Sequence, residues 1–342
     1  MSIQCQILTE DDIGKVHFES IRILQEVGIK FLSHKALKIL KDNGAQVDTD
    51  TQIARIPEEM VQQALKTAPK SFVLGSRVKE RDFQLPSSYS GYVLDNGGIF
   101  TRDFKTGERR RCNYQDHIDF LRVFDEMKLA SVNTNFSTGG FLEGSPEMVL
   151  QTAVRGEMAK FYNLPDTQAG CLTEAKDHGS QAVMEKLITT LPLVMLGVDL
   201  VQGPGALETS NMMTLEQIVV DDEIACLCRR LKDGVDMSEA KNYFEDIKEV
   251  KPGGHFLNQS STIQACRSSE FIMPQLCDRN SFEQWVELGR PDVYDNAREK
   301  VEKILASPPK NPLPDDVIGR LEDIMRRADE ELKYKKELSH AR

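Results

Sequence analysis

The sequence predicts an α/β protein of the parallel β/α-barrel kind, and an incomplete one. Three observations carry this. From about residue 115 helical periodicity alternates with short apolar strands. The strand-end loops Ser137-Thr-Gly-Gly140, Ala169-Gly-Cys171 and Gln202-Gly-Pro-Gly205 are polar or glycine-rich, yet none has the GxGxxG or GxxxxGK[ST] spacing of a nucleotide-binding fold. Only four or five convincing β/α units fit between residues 115 and 275, whereas a closed barrel has eight and takes about 250 residues.

Residues 1–112 read as an N-terminal α+β segment. One helix ends near Glu26-Val27-Gly28, a second runs through Lys35–Leu40, and a third starts after Ile56. There Pro57 favours a first turn, and Glu58 and Glu59 face the positive end of the helix dipole. Residues 71–77 read as a strand, and 91–112 as two short β patterns around a turn at Lys105-Thr106-Gly107.

Residues 113–310 are expected to hold the partial barrel, and 311–342 a C-terminal helix. The elements are a helix over 117–127, a strand over 130–140, and a helix that Ser145-Pro146-Glu147 opens toward Phe161. A short strand follows at 166–171, a helix at 180–191, and an apolar run at 192–205 that reads as a buried parallel strand. Thr214-Leu-Glu-Gln217 is a capping-box pattern opening a helix through Leu231. Lys251-Pro-Gly-Gly-His255 is read as the loop of a last strand, before helices around Trp285 and over 293–305; the breaker Ser307–Pro314 precedes the last helix.

Composition narrows the function. A formal charge of -11 with 40% apolar residues suits a globular protein and opposes adhesion to nucleic acid or anionic lipid. The opening MSIQCQILTEDD carries no charged leader with an apolar core, and no run approaches the ~18 apolar residues of a membrane span, so a cytoplasmic protein is expected. Seven scattered cysteines read as reduced thiols, with those of Cys226 and Cys228 diverging around a helix. Six dispersed histidines offer no paired ligands for a metal-dependent hydrolase.

Several segments point to one family. The stretches ILQEVGIKFLSHKALKILKDNGAQVD (23–48), ARIPEEMVQQALKTAPKSFVLGSR (54–77), GGHFL (253–257), FIMPQLCDRNSFEQW (271–285) and REKVEKILA (298–306) resemble the trimethylamine and glycine betaine corrinoid methyltransferases. GSPEMVLQTAVRGEMAKFYNLP (144–165) and GALETSNMMTLEQIVVDDEI (205–224) fall in the expected order. The resemblance covers residues 10–127 and 132–335 and jumps between FDEMKLA and SVNTNFSTGG, where family members carry further β/α units. It implies a TIM-barrel-like (β/α)8 architecture lacking part of its middle, a methylated amine substrate, and a corrinoid (cobalamin) carried by a partner protein. Some trimethylamine enzymes of this family contain pyrrolysine, and this chain has only the twenty standard residues, which favours the branch acting on quaternary amines.

A quaternary ammonium that gives up a methyl leaves as a neutral amine and needs no acid. The pocket has to hold a soft cation in line with its acceptor, through aromatic faces and a carboxylate, with polar donors if the amine carries a carboxylate of its own. On a β/α barrel these groups come from strand ends and the loops after them. The candidates for substrate binding are Asn133, Asn135 and Phe136 at one strand end, Gln168 at another, Gln202 and Glu208 at a third, and Phe256 and Asn258 beside His255. The family's Gly-Gly-His-Phe-Leu segment makes His255 the catalytic candidate. His178 reads as a capping neighbour, Arg109–Arg111 and Asp221–Glu223 as solvated faces, and Trp285 as a core anchor. The alternative function is a non-catalytic shortened homologue that serves as a binding or assembly subunit. A homo-oligomer is expected, because an open sheet edge is a template for association.

Overall fold

The computed structural model describes residues 5–94, 98–127, 130–133, 142–236, 238, 241–268 and 271–340, the side chains of 130–133 and 332–340 excepted. The chain opens with α1 (Glu10–Arg22), capped by Thr9 in a reciprocal capping box and continued by a π-turn over Ile23–Val27 that stops at Gly28, φ 83°. β1 (Ile29–Lys30), α2 (His34–Asp42), β2 (Gln46–Asp48) and β3 (Ile53–Arg55) follow, the three strands forming a small antiparallel sheet in the order β1-β3-β2. α3 (Glu58–Thr67) starts after Pro57, which stands at the N-cap. β4 (Phe72–Leu74) and β5 (Phe83–Leu85) then pair as a hairpin.

Next come β6 (Gly91–Leu94), the antiparallel pair β7 (Phe100–Arg102) and β8 (Arg109–Arg111), α4 (Tyr114–Asp125) and β9 (Ala130–Asn133). α5 (Pro146–Phe161), β10 (Thr167–Ala169), α6 (Ser180–Leu196), β11 (Leu200–Gln202), the two-residue strands β12 (Ala206–Leu207) and β13 (Met212–Met213), and α7 (Leu215–Asp233) continue the alternation. The chain ends with α8 (Phe244–Val250), α9 (Ser260–Arg267), α10 (Phe282–Glu287), α11 (Val293–Ala306) and α12 (Asp315–His340). Among the described residues no helix is long and apolar enough to cross a membrane.

The centre is a four-stranded parallel sheet in the order β10-β11-β6-β9. Its helices lie on one face. Tyr92, Leu94 and Val201 turn toward them and join Phe120, Val123 and Phe124 of α4, Leu193 and Val194 of α6, and Ile218, Val219 and Val220 of α7 in the main core. At about 1.5–3 kcal/mol for each fully buried side chain of this size, that cluster dominates the fold's stabilisation. The other face of the sheet carries Val93 and Leu200, covered by Phe83 and Leu85 of the β4–β5 hairpin. The helix layer runs α5, α6, α7, α4, with α11 packed on α7 and α4.

The incomplete barrel expected is an open sheet: among the described residues the central sheet has four parallel strands, β13 pairs in parallel with β7 in the second sheet, and no barrel closes. The apolar run at 192–205 is divided, since α6 continues through Pro192 to Leu196 and only Leu200–Gln202 is strand. Among the described residues no strand lies between α7 and His255. Lys251 at φ 60° and Gly253 at φ 86° turn the chain, and the Gly254 N–H closes on the Lys251 carbonyl, so the segment is the turn between α8 and α9. The sheet also takes a central strand, β6, from before residue 112, so the parallel unit does not start where the helix–strand alternation becomes obvious. Trp285 is half-buried, its indole N–H donating to the Pro291 carbonyl at 3.2 Å, and it pins a local turn rather than the core.

Candidate active site

In a parallel β/α sheet, chemistry gathers where strands end. Here two of those ends are tied to the helix layer by a buried polar network. Lys186 of α6, 0% exposed, donates through Nζ to Asp221 Oδ2 of α7 and to the Cys171 carbonyl, both at 2.8 Å, and to the Gly203 carbonyl at 3.4 Å. Asp221 also accepts the Gly205 N–H at 2.7 Å and the Gln217 amide at 2.8 Å, and Tyr294 of α11 donates to Gln217 Oε1 at 2.9 Å. One ion pair thereby fixes the loops after β10 and β11 against three helices. Burial raises the Asp221 carboxyl above its ordinary value, and the Lys186 contact opposes that.

These loops are packed too closely for other residues. A Cβ on Gly203, φ 131°, would lie 2.1 Å from the Gly170 carbonyl oxygen, and one on Gly170 would lie 2.7 Å from Leu193. Beside them Glu185 accepts the Thr173 hydroxyl at 2.6 Å and the Glu174 N–H at 2.9 Å. Burial works against ionisation of Glu185, but these bonds and the Gln181 amide outweigh it and hold the carboxyl below its ordinary value.

A second sheet, in the order β12-β13-β7-β8, continues from this end. Arg109 grips Glu208 with Nε and Nη2 at 2.9–3.1 Å while its guanidinium lies 3.6 Å from the Phe100 ring centre. Arg110 bridges Asp103 at 2.8 Å and Asp116 at 2.6 Å. Arg109 and Arg110 are thus held in ion pairs, while Arg109 and Arg111 stay exposed as expected of a solvated face. His178 stacks on Tyr294 at 4.5 Å and meets Arg102 Nη1 at 2.7 Å through Nε2; burial lowers its pKa, with Asp177 opposing.

The amino ends of the strands form a different place. The Asp199 N–H donates to Asp166 Oδ1 at 2.9 Å, the Asp166 N–H to Asp199 Oδ2 at 3.1 Å, and the Ser87 N–H to Asp199 Oδ1 at 2.6 Å. Burial pushes the Asp166 carboxyl up to about 6. A cleft of about 490 Å³ opens there, lined by Lys160, Arg229 and Lys232 among others. Lys160 donates to the Leu196 carbonyl at the C-terminal end of α6, where a cation complements the helix dipole. Its position at the amino end assigns this cleft to fold stability.

The residues singled out in the sequence do not converge. Gln202 ends β11 and, by its register with Val93, belongs to the sheet face turned away from the helices. Glu208 lies on the following loop with its carboxylate taken by Arg109. Gln168 faces the helix layer, where its amide donates to Asp166 Oδ2 at 3.3 Å close to Gly156 of α5. His255, Phe256 and Asn258 are exposed on the α8–α9 turn, and none of these residues lines the 490 Å³ cleft. Asn133 ends β9; its side chain, together with Asn135 and Phe136, lies outside the described residues. Among the described residues no group of three or more acidic, histidine or cysteine side chains is arranged to hold a metal ion.

Sequence reading passed over Lys186 and took Asp221–Glu223 for a solvated face, whereas Asp221 and Asp222 are buried, and a signal for the buried pair was available. Lys186 recurs at helical spacing with Ala182, Thr189, Thr190 and Leu193, all buried, and Asp221 with Ile218 and Ala225. A charge on an apolar helix stripe implies an internal partner.

Comparison with known proteins adds the family. A family model described as trimethylamine methyltransferase (MTTB) matches residues 2–135 and again residues 130–333. Trimethylamine methyltransferase MttB of Methanosarcina barkeri is 33% identical over 186 residues, which is 54% of this chain and 37% of that protein. Glycine betaine methyltransferase of Desulfitobacterium hafniense (strain Y51) is 30% identical over 178 residues, again 37% of its length. With trimethylamine methyltransferase MttB2 of Methanosarcina mazei the identity is 32% over 491 aligned residues, covering 97% of each chain. An alignment of 491 residues on a chain of 342 requires long gaps, and the two family matches meet at residues 130–135.

Proposed function

We propose, from the premise that the chain belongs to the trimethylamine methyltransferase family, that it moves a methyl group from a quaternary or tertiary methylamine to the cobalt of a corrinoid protein. The observation that carries this reading is the family match over residues 2–135 and 130–333, a span containing every strand of the parallel sheet. The corrinoid is a substrate here, held by its own protein. The N–C bond breaks with its electron pair passing to nitrogen, and the methyl carbon bonds to reduced cobalt through the metal's own pair. A quaternary ammonium then departs as a neutral tertiary amine, and a tertiary methylamine as a neutral secondary amine when it reacts in its protonated form. That suits a site whose candidate carboxylate, Glu208, is held by Arg109 and so serves as a charge rather than a proton donor. Glycine betaine is the preferred substrate class on this argument, with Gln202 a donor for its carboxylate.

Mixing the purified chain with cob(I)alamin or a corrinoid protein and a panel of quaternary and tertiary amines tests the proposal. Methylcobalt absorbance appearing with glycine betaine, and not without an amine, is the expected result. No transfer with any amine, alongside transfer by a full-length relative, overturns it. That outcome favours the second reading, a non-catalytic homologue acting as a binding or assembly subunit. The exposure of His255, Phe256 and Asn258 supports that alternative.

A further inference from the structure

The central sheet has two open edges of complementary kind. Among the described residues β9 pairs only with β6, and β10 only with β11. All four strands run parallel, and the helices α4–α7 lie on a single face. In a closed barrel each helix covers the groove between two neighbouring strands. Here α6 connects β10 to β11 and α4 connects β6 to β9, while α7 follows β11 and packs on both α6 and α4. α5 is the exception. It follows β9 in the chain but packs against β10 and α6, at the opposite edge of the sheet. One copy therefore supplies four strands and four helices, with the helix that would cover β9's outer groove placed beside β10.

We propose that two copies of the chain join edge to edge, the β9 edge of each against the β10 edge of the other, to close one eight-stranded parallel barrel. A twofold axis along the strands keeps every strand parallel and every helix outside, giving the order 10-11-6-9-10-11-6-9. The α5 helix of each copy then lies over the new β9–β10 groove, beside α4 of the other. Eight strands is the number at which a parallel β/α barrel closes, with side chains filling its interior. Each copy brings such filling in Phe83 and Leu85 over Val93 and Leu200.

The edges themselves favour pairing. Edge strands of monomeric proteins are commonly blunted by charge or proline, yet β9 reads Ala-Ser-Val-Asn and β10 Thr-Gln-Ala, with neither. Leu142, 70% exposed, and Leu150, 55% exposed, lie just before and on α5, where the new seam would run. A second copy has another route of contact, since Ile318, Leu321, Met325 and Ala328 form an exposed row at heptad spacing on α12. The test has to separate the two. The proposal rests on strand topology and not on the reaction, so either can fail without the other.

The Gly170 N–H donates to the Gln202 carbonyl and the Leu200 N–H to the Asp166 carbonyl. By alternation along the strand, Thr167 and Ala169 turn their N–H groups to the open edge. Light scattering on the full chain is expected to give twice the 38.6 kDa chain mass. Hydrogen exchange at the Thr167 and Ala169 amides should slow as protein concentration rises, because pairing buries them. Ala169→Pro removes an edge N–H without touching the β10–β11 ladder, and is expected to give a monomer with unchanged helical circular dichroism. The exchange measurement on the unaltered chain decides the matter if that variant does not fold. A monomer at every concentration overturns the proposal. So does a dimer with concentration-independent exchange at Thr167 and Ala169, or one that is lost on deleting residues 315–342 while their exchange is unchanged.

Discussion

Lys186 and Asp221 show what a single misplaced charge means. Neither can be reached by water, so removing one partner leaves the other desolvated and unpaired, which costs about 3–5 kcal/mol in such pairs. Lys186→Met is expected to lower the unfolding free energy by an amount of that order in urea titration, and Lys186→Met with Asp221→Leu to recover most of it. A double variant no better than the single would refute the pairing argument. Asp166 gives a pH test. Its carboxyl is raised from the ordinary 3.8 to about 6 by burial, so in that window the folded state binds more protons than the unfolded one. The contribution of Asp166 to stability therefore falls as pH rises through that interval. Asp166→Asn should flatten that part of the stability–pH curve, and an unchanged slope would show that the burial is not felt. His255, exposed on its turn, should tolerate alanine within about 0.5 kcal/mol. A large loss of melting temperature would give it a structural role instead.

At the scale of elements, α5 and α7 start where the sequence places a capping side chain, while α6 starts at Gly179 without one. Ser145 accepts the Met148 N–H at the start of α5, and Thr214 accepts the Gln217 N–H at the start of α7. Ser145→Ala and Thr214→Ala are each expected to cost about 1 kcal/mol, measured as a shift in the denaturation midpoint without a change in slope. These starts were legible because a cap depends on residues three positions apart. The end of α6 was not. Pro192 suggested a boundary, but the helix continues through it to Leu196, with Leu193, Val194 and Leu196 packed into the core and Gly197 ending it at φ 76°. Packing outweighs the intrinsic cost of proline, and no local rule reports packing.

At the scale of the whole molecule, stability is unevenly distributed. α8 and α9 have no buried residue, and Phe244, Ile247, Leu257 and Ile263 are exposed on or between them, whereas α4 to α7 share one core. Limited trypsin digestion should cut first at Lys248 or Arg267 and leave the sheet and its helices intact. First cuts within α6 or α7 would contradict that division. The sequence by itself determined the alternation of helix and strand, the shortage of β/α units, the family resemblance and the place where it jumps, because these rest on periodicity and order along the chain. Only the tertiary structure decided that β6 lies between β11 and β9, that Lys186 meets Asp221 across two helices, and that His255 stands apart from Gln202. Strand order and burial are set by which surfaces exclude water together, and residues far apart in the chain settle that jointly.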